Sequence, residues 1–332
     1  MNSLLYVPKL GLGDLVFSAP LLRSLQSAYP QARIEVYGGN DSGKRELIRE
    51  LLGCSLLGDR LGFFVPRKVE SSVARDHWQA VLYGLLPEFF VRERLMLEQY
   101  LVGQKFDVVL LSSPVRLSKV RGVQLNWSDV EKSFPDRDGL CMADQLLLFA
   151  NLLGIPSHPN DFSLSCNGLD GAVRLFNADE VRLPEQYVVM HVGASVHAKR
   201  WSEESFRDVA KFCHRKQYGT VVVGRGPADD RASLVVEQAG KSVVNTLSSG
   251  SYVGLRNFLR LVKRAAVVLG GDSGPTHLSA AVKAKTVALF GPTDPRVYAP
   301  PFNARRVVCS SSQSMADITV SQVCEKLEEL LV

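Results

Sequence analysis

The sequence has no pair of cysteines at C-x-x-C spacing. Its six cysteines, Cys54, Cys141, Cys166, Cys213, Cys309 and Cys324, are scattered. That argues against a zinc site and predicts a reduced, cytoplasmic compartment. No apolar run approaches the about 20 residues needed to span a bilayer. The opening MNSLLYVPKLGLGDLV lacks a basic leader region and a cleavage site, so no signal peptide is expected. Charge of one sign is also scarce: 39 Lys and Arg against 34 Asp and Glu give +5. That is too weak to diagnose a nucleic-acid partner, and none is expected. It suits an anionic substrate or an anionic membrane surface. No short repeat or low-complexity tract is evident. Near the start, G-L-G would need a third glycine at position 16 to make a dinucleotide fingerprint; Val16 stands there.

What is present is an alternation of strands and helices. With 332 residues, two domains are expected. SLLYVP (3–8), ARIEVYG, FDVVLLS (106–112) and VRGVQL (120–125) read as strands. DLVFSAPLLRSLQSAYP reads as a helix with Asp14 near its N-cap and an apolar stripe of Leu15, Leu21, Leu22 and Leu25. Pro20 predicts a kink or a late start within it. KRELIRELL predicts a second helix, and ADQLLLFANLLG one closed by Gly154 and Pro156. A polar, turn-rich stretch over 155–171 reads as a linker. The alternation then restarts, with strands YVVMHVG, GTVVVG, AAVVLGG and KTVALFGP among helices, and ends on the helix TVSQVCEKLEELL. The pattern predicts two doubly wound α/β halves, each a parallel sheet covered on both faces, with a cleft between them. The segment 67–105, with Arg92 and Arg94 among leucines and aromatics, reads as an amphipathic core helix; a helical insertion lining the cleft or touching a membrane is the alternative.

Ligands of open α/β sheets bind beyond the carboxyl ends of strands, and four strand ends carry unusual residues. After the first strand, Gly11 and Gly13 permit a tight turn and close approach. Asp14 then stands ready either as a helix cap or as a base for a substrate hydroxyl. In HVGASVHAKRWSEESF, Lys199 and Arg200 suit a diphosphate, with Ala194 and Ser195 offering amides or a hydroxyl, and Ser202 caps the next helix. In VVVGRGPADDR, Gly224 and Gly226 precede Asp229 and Asp230, which suit a ribose diol or, more simply, a helix N-terminus. In GGDSGPTHLSAA, Gly270 and Gly271 leave room at the strand end, and Asp272, Ser273 and Gly274 lead into a helix starting near Pro275. Free amides and the positive helix end make an anion site there, to which His277 adds a donor. GPTDP (291–295) should form a neighbouring polar turn.

GLGDLVFSAPLLRSL, HVGASVHAKRW, GGDSGPTHLSAAV and ALFGPTDP, in that order and spacing, resemble glycosyltransferase family 9, the bacterial ADP-heptose:lipopolysaccharide heptosyltransferases, over roughly residues 3–330. The resemblance implies a GT-B fold: an N-terminal Rossmann-like acceptor domain over 1–165, a C-terminal nucleotide-sugar donor domain over 175–318, and a closing helix over 319–332. It implies Asp14 as catalytic base, flanked by the acceptor-side loop glycines Gly11 and Gly13, with Lys199 as the catalytic cation on the donor phosphates. Ser195, Asp229, Asp272, Ser273, Gly274 and His277 would bind the donor. Where the family carries two small hydroxyl residues before the lysine, this chain has Ala194 and Ser195, so one hydroxyl is missing. Basic residues for an acidic acceptor do not align.

The reaction implied is inverting transfer from ADP-L-glycero-D-manno-heptose to a lipopolysaccharide-core saccharide, with no cofactor and no metal. The expected partners are therefore a nucleotide-diphosphate sugar and an anionic lipid-linked saccharide, met by a cytoplasmic enzyme in reversible peripheral contact with the inner membrane. A family member with another nucleotide sugar or a protein acceptor, a sugar-nucleotide epimerase, and a non-catalytic nucleotide-sugar-binding protein are the competing readings.

Overall fold

A computed structural model describes residues 1–8, 11–37, 50, 61–64, 105–112, 117, 121–156, 162–164, 169, 171–174, 182–247, 253–299 and 306–331. Apart from Glu50 and Lys105, the helix expected over 44–52 and the segment 67–105 lie outside them. The chain forms two compact units. One comprises Met1–Asp138 and Ala143–Asp161, the other Gly139–Met142 and Phe162–Val332.

The first unit holds a parallel sheet in the order β3-β2-β1-β4-β5. Its strands are β1 Ser3–Val7, β2 Arg33–Tyr37, β3 Leu61–Phe64, β4 Lys105–Leu111 and β5 Arg121–Asn126. The chain builds outward from β1 to β3, then returns to the other side of β1 for β4. The crevice between β1 and β4 is therefore a topological switch point. After β1 come two short helices, Leu12–Phe17 and Ala19–Ala28. The break at Ser18 has a local cause: Pro20 has no N–H to return to Val16 and opens the second helix as one of its first residues. Leu15, Leu21, Leu22 and Leu25 are all fully buried, as their spacing predicts. The helix Met142–Leu152 ends at Gly154, which takes φ +68. Ile155 N–H donates to Ala150 O and Gly154 N–H to Asn151 O, so a left-handed glycine closes the helix.

The second unit repeats the plan with a six-stranded parallel sheet, β11-β10-β9-β6-β7-β8. The strands are β6 Tyr187–His191, β7 Gly219–Val223, β8 Val243–Asn245, β9 Val267–Gly271, β10 Thr286–Phe290 and β11 Val307–Cys309. Every residue of β6, β7, β9 and β10 is buried. That is why these strands read as continuous apolar runs: both faces are covered. Here the switch point lies between β6 and β9, where His191 stands in register with Gly270. Helix Glu203–Arg215 covers one face through Phe206, Val209, Ala210 and Cys213; Ser202 caps it, its Oγ accepting from Ser205 N–H at 3.1 Å. The last helix, Val320–Glu328, opens on a capping box of Thr319 and Gln322 and buries Val323 and Leu327 in the same core.

Candidate active site at the strand ends

The β6/β9 switch point gathers most of the expected site residues of the second unit. Asp272 follows β9 and is 5% exposed. Its Oδ2 accepts from Lys199 Nζ at 2.6 Å and from Thr293 Oγ1 at 2.7 Å, and its Oδ1 lies 2.8 Å from His277 Nε2. Burial alone would raise this carboxyl. The His277 bond and charge, with the Lys199 and Thr293 bonds, outweigh it and hold Asp272 well below the usual carboxylate range. Asp272 is thus an ionised hub that fixes three side chains from three segments. Lys199 ends the short 3-10 turn His197–Lys199 and is half-buried, and its ammonium also lies 5.7 Å from the centre of the Tyr298 ring. Thr293 belongs to the GPTDP turn, which does neighbour the first motif.

This geometry revises the place of His277. Expected as a donor to a ligand phosphate, it is 3% exposed and spends Nε2 on Asp272. The glycines are revised likewise. A methyl at Gly270 would stand 2.5 Å from Thr276 Oγ1, and one at Gly271 3.1 Å from the Lys199 carbonyl. The room at this strand end is filled by the protein's own packing.

The helix after β9 is Gly274–Ala281, one residue earlier than Pro275 suggested, with Ser273 as its N-cap. Ser273 does not cap with its side chain. Its Oγ lies 3.2 Å from His191 Nδ1 and 3.0 Å from Thr276 Oγ1. Ser273, Gly274 and Pro275 are half-exposed, so the positive end of this helix opens outward. Ser195 is exposed on the β6 side of the same crevice.

The second cluster sits one strand over. Arg200, which the sequence suggests for a diphosphate, donates from Nη1 to Asp229 Oδ1 at 3.1 Å and from Nη2 to Ala194 O at 2.6 Å. Asp229 Oδ2 accepts from Arg225 N–H at 2.8 Å, and the residue is 5% exposed. Of the two carboxylates expected near the ribose, Asp229 is thus engaged in an internal ion pair. Asp230, next in the same first turn, is half-exposed. The sequence alone does not single out His191. Burial pushes its imidazole down to about 4, with the Asp229 charge opposing and the Arg200 charge adding. A polar residue closing the apolar run YVVMH was the available signal.

At the β1/β4 switch point, Asp14 is not a helix cap. Gly11 holds the N-cap position, and Asp14 sits in the first turn, half-buried. The carboxylate lies over Gly11, where a methyl would meet Oδ2 at 2.8 Å. Gly13 lies between them in the turn. Beneath it, Ser18 Oγ donates to Asp14 O at 2.7 Å, and Tyr6 Oη lies 2.6 Å from Ser18 Oγ and 2.9 Å from Ser112 Oγ. With the Ser18 proton spent, Tyr6 donates to Ser18 and accepts from Ser112. Burial pushes the Tyr6 phenol up to about 12 against those serine bonds, and the Asp14 charge adds to the rise. Among the described residues, no three His, Cys, Asp or Glu gather as a metal site, and no helix is long and apolar enough to cross a membrane.

The model of glycosyltransferase family 9 (heptosyltransferase) matches residues 118–328. Lipopolysaccharide heptosyltransferase 2 of Salmonella typhimurium is 23% identical over 96% of this chain and 95% of its own. Among solved structures, the E. coli heptosyltransferase WaaC with ADP superimposes with a TM-score of 0.68 at 18% identity, covering 98% of this chain and 97% of that one. E. coli ADP-heptose lps heptosyltransferase II gives 0.66 at 20%, over 100% and 98%. These likenesses establish the GT-B fold.

Proposed function

Because the chain belongs to glycosyltransferase family 9 and is a glycosyltransferase, we propose that it moves a heptose from ADP-L-glycero-D-manno-heptose to a lipopolysaccharide-core saccharide, with inversion. The observation that carries this is the β6/β9 crevice. An ammonium pinned by a buried carboxylate stands at the same strand ends as an open helix N-terminus, which suits a diphosphate. The acceptor is bound by the unit within 1–165 and the donor by the unit within 175–318, to which the helix over 319–332 adds its core contacts.

The acceptor hydroxyl attacks the anomeric carbon as Asp14 takes its proton. The bond from that carbon to the diphosphate oxygen breaks, and ADP leaves with the electron pair. A positioned base is worth about 10²- to 10⁴-fold. The leaving charge falls to groups that are already oriented. One N–H of Lys199 is held by Asp272, which leaves the others for the phosphates. Ser273, the Gly274 amide and Ser195 add donors. Asp272 and His277 act behind Lys199, and Asp229 acts behind Arg200 and the β6 loop. Donors fixed in place before the reaction pay no reorganisation cost when charge develops. Asp230 is the carboxylate on the outer side of its turn and takes the ribose. The enzyme works in the cytoplasm, in reversible contact with the membrane that bears its lipid-linked acceptor.

The test is thermal stabilisation by ADP, UDP and GDP in buffer containing a chelator. ADP at 100 times its dissociation constant adds about 2.7 kcal/mol and should raise the midpoint selectively. Preference for UDP or GDP discards the heptose donor. No shift with any of the three overturns the donor site.

A further inference from the structure

The hydroxyl of Ser273 has an arrangement that helix capping does not explain. It stands at the N-cap of Gly274–Ala281 and makes no capping bond to a backbone N–H of that helix. It is held instead by two side chains from different elements, His191 Nδ1 at 3.2 Å and Thr276 Oγ1 at 3.0 Å. Both holders are buried, at 8% and 1% exposed. Thr276 reaches this position only because Gly270 has no β-carbon. Ser273 itself is half-exposed. Two rigid, buried groups thus aim one accessible hydroxyl at the mouth of a helix.

Proton count decides what that hydroxyl offers. A neutral imidazole carries one N–H, and burial keeps His191 neutral at pH 7. If that proton is on Nδ1 and the Thr276 hydroxyl donates as well, both bonds are received by Ser273 Oγ, and the serine proton is released to point away from the helix. If it is on Nε2, Ser273 must donate inward, and the crevice gains only lone pairs, which repel an anion. We propose that His191 is a positioning residue for the donor. Protonated on Nδ1, it holds the Ser273 hydroxyl, together with Thr276, so that its proton is directed at the diphosphate. This rests on the donor reading given above and deepens it. Lys199 supplies charge to that site, and the relay supplies direction.

The experiment is a double-mutant cycle read by calorimetric ADP and adenosine affinities, with a melting curve for every variant. His191→Ala and Ser273→Ala should each weaken ADP about ten-fold and change adenosine less than two-fold. His191→Ala in the Ser273→Ala background should cost less than a further two-fold. His191→Asn, whose amide N–H falls near the Nδ1 position, should recover most of the ADP affinity, whereas His191→Gln, with its amide further out, should not. Additive losses for ADP, equal losses for adenosine, or failure of the asparagine to rescue would each overturn the relay. Wild-type protein that binds ADP no better than adenosine would instead remove the donor reading, and the relay with it.

Discussion

The two switch points are built from opposite materials. At β1/β4 the backbone carbonyl of the half-buried Asp14 is held by a short chain of neutral groups, Ser18, Tyr6 and Ser112. At β6/β9 the carboxylates are buried, and the accessible groups are donors. Asp272 gathers three partners, and Asp229 two. On the mechanism proposed above, a base must change its protonation during the reaction. A leaving-group site must not change, so its charges are locked in pairs. On that proposal, two sheets of nearly the same plan serve different ends, the first proton transfer and the second a standing field.

That contrast can be broken most forcefully at Asp14. Asp14→Asn should lower turnover at least 100-fold and as much as about 10⁴-fold, with ADP affinity and melting point nearly unchanged. Retention of most turnover would move the base elsewhere. Asp272→Ala should do the reverse and strike the fold. It strands a half-buried lysine and a buried histidine, and losing one partner of such a pair costs about 3–5 kcal/mol, readable as a fall in the urea midpoint. A loss below 1 kcal/mol would mean that the hub is not structural. Lys199→Ala should weaken ADP by roughly 10- to 100-fold, as loss of a charged hydrogen bond does, and leave adenosine alone. Equal weakening of both would take Lys199 off the phosphates.

The smallest expected effects sharpen the comparison through pH. His191 titrates near 4 in the fold, below its ordinary 6.5, so the unfolded chain takes up the proton first as pH falls. Its contribution to stability is full above about 6.5 and is lost on the way down to about 4. Asp272 is held below its ordinary 3.8, so its contribution persists above that value and is lost only under stronger acid. Urea midpoints from pH 7 down to about pH 2 should show the first loss abolished by His191→Asn and the second, below about 3.8, by Asp272→Asn. An unchanged first loss in His191→Asn would assign it to other groups.

Much of this was legible in the sequence where the cause is local. The strands of the second sheet are apolar runs because both faces are covered. Pro20 split its helix, and Gly154 ended another by a left-handed turn. Asp14, Lys199, Asp272 and Ser273 could be picked out because polar residues at strand ends are conspicuous. What could not be read was which of them face inward. Asp229 and His277 looked like ligand contacts, yet Arg200 is brought to Asp229 by the pairing of β6 with β7, and His277 turns back to Asp272 across the start of its own helix. His191 escaped notice because one polar residue ending a buried strand has no periodic signature, and its partner lies 82 residues away.

The two glycines at the ends of β6 and β7 carry a consequence for how this chain can vary. A β-carbon at Gly193 would overlap the Asp229 carboxylate, and one at Gly224 would stand 2.9 Å from Asp229 Cβ and Oδ2. The three positions are therefore inherited as a set. While Asp229 stays, neither glycine can drift to alanine. Should Asp229 be lost, both positions are released together, and Arg200 loses its anchor in the same step. Descendants of this sequence should either keep all three residues or rewrite the loop entire.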